Sequence, residues 1–315
     1  MVQIDYICFM ANRKNAHISW GILGLILLFF VGKGIWGIAH NAGRIDSKAN
    51  TDMEDNIQLD ETKVARFLTI LKDNRRDAIG FRFTDSDSTV SVGNTKYGGR
   101  PDAPAGFEWP VDEQDRPLSF LFQINCAEVA PYVEKTQLPE QGLLAFYFQL
   151  DDDIDWEHME RYARVLYFDA PSSMLSRADF PESLPEEYRA QEHSVKIYRK
   201  DSYPDFEDFL HSNLNNASFE YDQWDNYDAA REQLEPGFSE EDPGLIATSL
   251  GYARLIQGSI IDDFDSNVLL FQINSDEQND DGLMFGDVGA LYFYISRDDL
   301  RERRFDRITF EMQCY

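Results

Sequence analysis

The stretch FLFQINCAE, Phe120 to Glu128, recurs as LLFQINSDE, Leu269 to Glu277, 149 residues further on. Downstream of each copy a second match follows: GLLAFYFQLDDD, Gly142 to Asp153, and GALYFYISRDDL, Gly289 to Leu300. Order and spacing are retained, with 17 residues from Asn125 to Gly142 and 15 from Asn274 to Gly289. Each member opens with a short apolar run of strand length, so two strands and their connection repeat as a unit. Chance likeness between apolar strands would not preserve their order. The chain therefore reads as two related β-rich halves, roughly 78–170 and 245–315, with a pseudo-twofold relation. One shared core buries both inner faces more economically than two independent domains would.

Working outward, Asp60 is an expected N-cap, and Val64, Phe67, Leu68 and Leu71 recur at helical spacing. Ile79, Phe81 and Phe83 then alternate with Gly80 and Arg82, the period of a half-buried strand. Asp201 to Gly244 is acidic and aromatic, with helix-like spacing at Phe206, Phe209 and Leu210 and again around Tyr227 to Leu234. It reads as helices and loops that cover a sheet face or lie between the halves. Pro171 to Glu187, rich in proline and acid, reads as loop. The expected class is α+β: an internally duplicated, mainly antiparallel β body with covering helices, plus an N-terminal hydrophobic helix.

That helix is Ile18 to Ala39, almost wholly apolar and, at 1.5 Å per residue, ~33 Å long, about one hydrocarbon core. Lys33 interrupts it, but lies towards one end and can snorkel. The leading reading is a single-pass membrane anchor over 1–40, followed by a polar linker, 41–59, and the folded domain, 60–315. A cleaved secretory signal and an upstream extension compete with it. Basic residues are balanced across the segment, Arg13 and Lys14 before it and Arg44 and Lys48 after it, so orientation stays open.

The chain has 315 residues, 43% of them hydrophobic, which excludes intrinsic disorder. A net charge of −28 repels a phosphate backbone and excludes nucleic acid as the main partner. Cys8, Cys126 and Cys314 form no CxxC and cannot pair completely, so neither a zinc ribbon nor a disulfide framework is expected.

Together the motifs are similar to the YwqG-like bacterial proteins, a family of unknown function, over about residues 60–315. The resemblance rests on YGGRPDAP (Tyr97 to Pro104), FEWP (Phe107 to Pro110), PLSFLFQIN (Pro117 to Asn125) and LPEQGLLAFY (Leu138 to Tyr147). In the second half it rests on LGYARLIQG (Leu250 to Gly258), LLFQINSDE, FGDVGALYFYI (Phe285 to Ile295) and the terminal MQCY (Met312 to Tyr315). Ala253 departs from the pattern, since similar proteins have Pro there, so that turn is expected to differ. The resemblance implies an α+β fold with internal duplication and no established reaction.

No GxSxG, HExxH or GxxxxGK[ST] is present, and His158, His193 and His211 lack ligand spacing. Along each FQIN strand, Gln123 and Asn125, or Gln272 and Asn274, face away from the neighbouring Phe and Ile. With Tyr97 and Trp109 nearby, these amides form a candidate site for a peptide backbone or a sugar; the alternative is that they bond loops inside the fold. In SDEQNDDGLMFGD, Asp276, Asp281 and Asp287 are candidate ligands for calcium, although Val288 stands where an EF-hand needs its bidentate Glu. No other cofactor is expected. The leading functional expectation is a membrane-tethered, non-catalytic module engaging a protein partner; a carboxylate-based glycan hydrolase and a cation-binding domain are the alternatives.

Overall fold

The computed structural model describes residues 59–315, except 85–88, 135–137, 152, 213, 215–220, 237–243, 277–278 and 280–281. The apolar run from Ile18 to Ala39 and the linker lie outside the described residues, within which no helix is long and apolar enough to cross a membrane.

In chain order the elements are α1 (Glu61–Asp73), β1 (Arg76–Phe83), β2 (Lys96–Tyr97), β3 (Asp102–Pro104), β4 (Ser119–Asn125), α2 (Cys126–Val129), β5 (Leu143–Phe148), β6 (Ala163–Phe168), β7 (Leu175–Arg177) and β8 (His193–Ser202). They continue with α3 (Phe206–His211), α4 (Trp224–Leu234), β9 (Leu245–Ser249), β10 (Asn267–Asn274), β11 (Ala290–Ser296), α5 (Arg297–Arg301) and β12 (Ile308–Gln313). Ten strands form one antiparallel sheet in the order β12-β11-β10-β9-β1-β8-β2-β4-β5-β6, and β3 pairs with β7 apart from it.

The strand order is a palindrome of the repeat. About an axis between β1 and β8, β10 faces β4, β11 faces β5 and β12 faces β6. Phe122 pairs with Phe146 in the first copy, as Phe271 pairs with Phe293 in the second. Both ladders slip at the same place, between Phe120 and Phe122 and between Leu269 and Phe271, a β-bulge kept in each copy. The axis divides the strands differently from the sequence boundaries. β1 pairs with β9 of the second half as well as with β8, and β8 takes the equivalent place in the first.

In the sheet order β4 and β10 are five steps apart, ~24 Å in a flat sheet at 4.8 Å per step. Yet the Phe122 and Phe271 rings lie only 5.0 Å apart. The sheet therefore folds over on itself, and its concave face becomes one core containing Ile79, Phe81, Phe146, Phe293 and Phe310. Each convex face carries a smaller core. Leu118, Phe120 and Tyr147 pack under Phe107 and Trp109, while Leu269, Tyr292 and Tyr294 pack under Tyr252 and Phe264.

The helices gather in a separate cluster. Asp60 caps α1 through bonds from Thr62 N and Lys63 N, 2.9 and 3.3 Å, and the helical stripe turns Phe67 and Leu71 inward. They meet Phe206 and Phe209 of α3 and Tyr227 of α4. The Pro171–Glu187 stretch, expected to be loop, contains β7, which pairs Leu175–Arg177 with Pro104–Asp102.

Candidate functional site

The four FQIN amides hold the convex loops in place. Gln123 is fully buried; its Oε1 accepts from Asp102 N at 3.0 Å, and its Nε2 donates to Asn94 O and Asp102 Oδ2, both at 2.7 Å. In the second copy Gln272 Oε1 accepts from Arg254 N at 3.0 Å and Nε2 donates to Arg254 O at 3.2 Å. Asn125 donates to Gly93 O at 2.6 Å and Asn274 to Leu245 O at 3.0 Å. The amides thus spend their bonds on equivalent loops, the internal use named as the alternative above. Tyr97 is buried and accepts from Leu283 N at 2.9 Å, and Trp109 donates to Leu118 O at 2.8 Å.

The turn with Ala253 keeps the geometry of its counterpart despite the missing proline. Leu250 and Gly251 adopt φ of 64° and 73°, as Gly98 and Gly99 adopt 56° and 69°.

Of the acidic loop, Asp276 is buried and accepts from Asn279 Nδ2 at 2.8 Å, Asp287 is exposed, and Asp281 lies outside the described residues. Among the described residues no group of three or more His, Cys, Asp or Glu is placed to hold a metal ion.

The two copies differ on the convex face of the first. There β2 turns Tyr97 into the core and Lys96 outward, as strand alternation requires. Lys96 is nonetheless fully buried, because the 175–192 segment crosses over it. Its Nζ lies 2.8 Å from Glu192 Oε2, donates to Arg100 O, and sits 5.6 Å from the Phe120 ring centroid. Arg177 closes the network: Nε donates to Asp102 Oδ1 at 2.7 Å, Nη1 pairs with Glu192, and Nη2 donates to Val90 O at 2.9 Å. Burial lowers the Lys96 ammonium below its ordinary value, more than Glu192 and Asp102 raise it. Burial alone would raise Glu192, but the Lys96 bond and charge, the Val90 N–H and Arg177 leave its carboxyl below the ordinary value. In the second half, Thr248 and Arg254 stand where Lys96 and Asp102 stand in the first.

Arg177 and Glu192 of this network line an open cleft of about 510 Å³, together with Gly99, Arg100, Phe180 and Arg189. Arg100 pairs with Asp179 at 2.6 Å. The Arg189 guanidinium lies 5.1 Å from the Phe180 ring centroid and donates through Nε to Leu184 O at 3.1 Å. It has no carboxylate partner among the described residues. Phe180 rests on Trp109, 5.9 Å away, which meets Tyr147 edge-on at 5.8 Å. Glycine is required where β2 ends beside Gln191 and Glu192. A Cβ on Gly98 would strike Gln191 O, and one on Gly99 would lie 2.7 Å from Glu192 Cβ.

The cleft is built from side chains distant in sequence: Lys96 and Glu192 are 96 residues apart and Asp102 and Arg177 are 75 apart. No motif announces it. Of its lining, only Gly99 and Arg100 fall within the YGGRP stretch.

Comparison with known families matches residues 95–314 to a domain described as one of unknown function, DUF1963. The chain belongs to the DUF1963 family. The matched span begins just before β2 and ends one residue past β12, so it contains all four FQIN amides and the residues that line the cleft. A comparison with curated proteins yields no match.

Proposed function

We propose that the DUF1963 domain is a non-catalytic binding module of the YwqG-like type, in which the second half serves as scaffold and the first half's cleft receives a protein partner. The supporting observation is the divergence of two otherwise equivalent faces. Both copies clamp a convex loop with a buried glutamine, but Lys96 and Asp102 of the first are Thr248 and Arg254 in the second, and the first copy's ion network borders an open cleft of ligand-binding size.

The titratable groups favour binding over turnover. Cys126 is buried, and burial pushes its thiol up to about 12, far from a nucleophile's range. His193 packs between Phe83 and Tyr97 at 5.0 and 5.9 Å. Glu192, held by Lys96 and Arg177, has its carboxyl below the ordinary value, opposite to the raised carboxyl a glycosidase uses as general acid. In this reading Ile18 to Ala39 tethers the module to a membrane and presents its acidic surface to the partner.

The test is affinity capture with the full chain in detergent from cells that make it. Wild type is compared with the doubly substituted Phe180→Ala/Arg189→Gln chain and with Arg301→Gln, an exposed charge control in the second half. Loss of the same captured protein from the cleft variant alone is expected. Unchanged capture by the cleft variant contradicts the reading.

A further inference from the structure

The charges around the cleft do not cancel. Among the described residues Lys96, Arg100, Arg177 and Arg189 have ion-pair partners there only in Asp102, Asp179 and Glu192, so one positive charge of this group is unpaired. The pairings place that charge on Arg189. Lys96 is held by Glu192, Arg177 by Asp102 and Glu192, and Arg100 by Asp179. Arg189 instead meets the Leu184 carbonyl and the face of Phe180.

A guanidinium held by its Nε edge and stacked on a ring is oriented in advance, so its remaining donors can meet a carboxylate with little further loss of freedom. Stacking also excludes water from one face and strengthens the ion pair it offers. The half-buried Phe180 adds an apolar wall beside the charge, suited to a carboxylate carried on an apolar or aromatic group. One guanidinium without a carboxylate partner among the described residues asks for one carboxylate.

We infer that the cleft takes a carboxylate, with Arg189 as its primary contact and Phe180 packing against the group that bears it. The inference rests on the binding reading above and names its chemistry. A side-chain carboxylate and a chain end share that chemistry.

The probe is benzoate, titrated calorimetrically into the full chain in detergent, with benzamide as its neutral isostere and inorganic phosphate as the dianion. Benzoate binding that weakens at least tenfold in Arg189→Gln and is unchanged in Arg301→Gln is expected, with no benzamide binding. N-acetylphenylalanine and the α-amide of N-acetylglutamic acid then separate a chain end from a side chain. Equal binding of benzoate and benzamide, equal loss in the two variants, or tighter phosphate binding overturns the inference. The capture experiment is read independently. Capture that needs the cleft without benzoate binding sinks the carboxylate and leaves the module, whereas benzoate binding with cleft-independent capture sinks the module's partner reading.

Discussion

Phe146 of β5 stacks on Phe271 of β10, with ring centroids 4.2 Å apart and planes inclined by 27°, so a strand from each copy supplies half of one aromatic contact. Phe293, the duplicate of Phe146, touches Phe146 at 5.4 Å and Phe271 at 6.1 Å. The copies are thereby joined through their most buried rings. Phe146→Ala and Phe271→Ala should each cost ~3–5 kcal/mol, with a coupling of ~0.5–1.5 kcal/mol in a double-mutant cycle. Denaturant unfolding in a single transition is expected. Two transitions with zero coupling would show halves that fold separately.

The amide clamps predict an unequal pair. Gln123→Ala strands the buried Asp102 N–H, at ~1–3 kcal/mol, whereas Gln272→Ala releases the Arg254 N–H, only part-buried on an exposed residue. The Gln123 change should cost more, because Gln123 also holds Asp102 beneath Arg177. Melting of the two variants checks the order, and a larger loss from Gln272→Ala would contradict it.

Gly98 and Leu250 occupy equivalent left-handed positions, yet only the first needs glycine. The difference is the neighbour. The Gln191 carbonyl closes on Gly98, whereas Leu250 buries its side chain in the central core. Gly98→Ala should therefore lower stability by more than the ~1–2 kcal/mol of a left-handed alanine alone, measured by chemical unfolding. A cost within that range would mean the 190–192 segment yields easily.

In the helical cluster, burial, aided by the charges of Asp205 and Asp225, raises the Asp228 carboxyl to about 6 against the opposing Trp224 bond and Arg231. A folded-state value above the unfolded one favours the protonated form. Its contribution is therefore full below about pH 4 and is lost as pH rises towards 6. Asp228→Asn should leave melting at pH 4 nearly unchanged and raise it above pH 6.5. A difference between variant and wild type that does not vary with pH would refute the assignment.

How much was legible follows from what each feature is made of. The repeat, the shared core and the outward-facing amides lie in contiguous strands, where alternation of side chains exposes them to inspection. β8, HSVKIYRKDS, is polar and half-buried along most of its length, so its central position comes from pairing with β1 rather than from its own pattern. β7 is three residues long and lies in a proline-rich stretch. The cleft was invisible for a different reason: its ion pairs close long loops, and only folding brings Lys96 under Glu192. Arg189, which the inference makes its principal contact, belongs to no motif.

The most direct test of the first half's role is site-specific photo-crosslinking in the full chain. A photoreactive residue replaces the exposed Gln191 at the cleft or, in a second chain, the exposed Asp262 on the opposite copy's outer loop. A crosslinked partner from position 191 and none from position 262 is the expected result. Crosslinks of equal yield from both positions, or from 262 alone, would contradict the assignment of recognition to the first half.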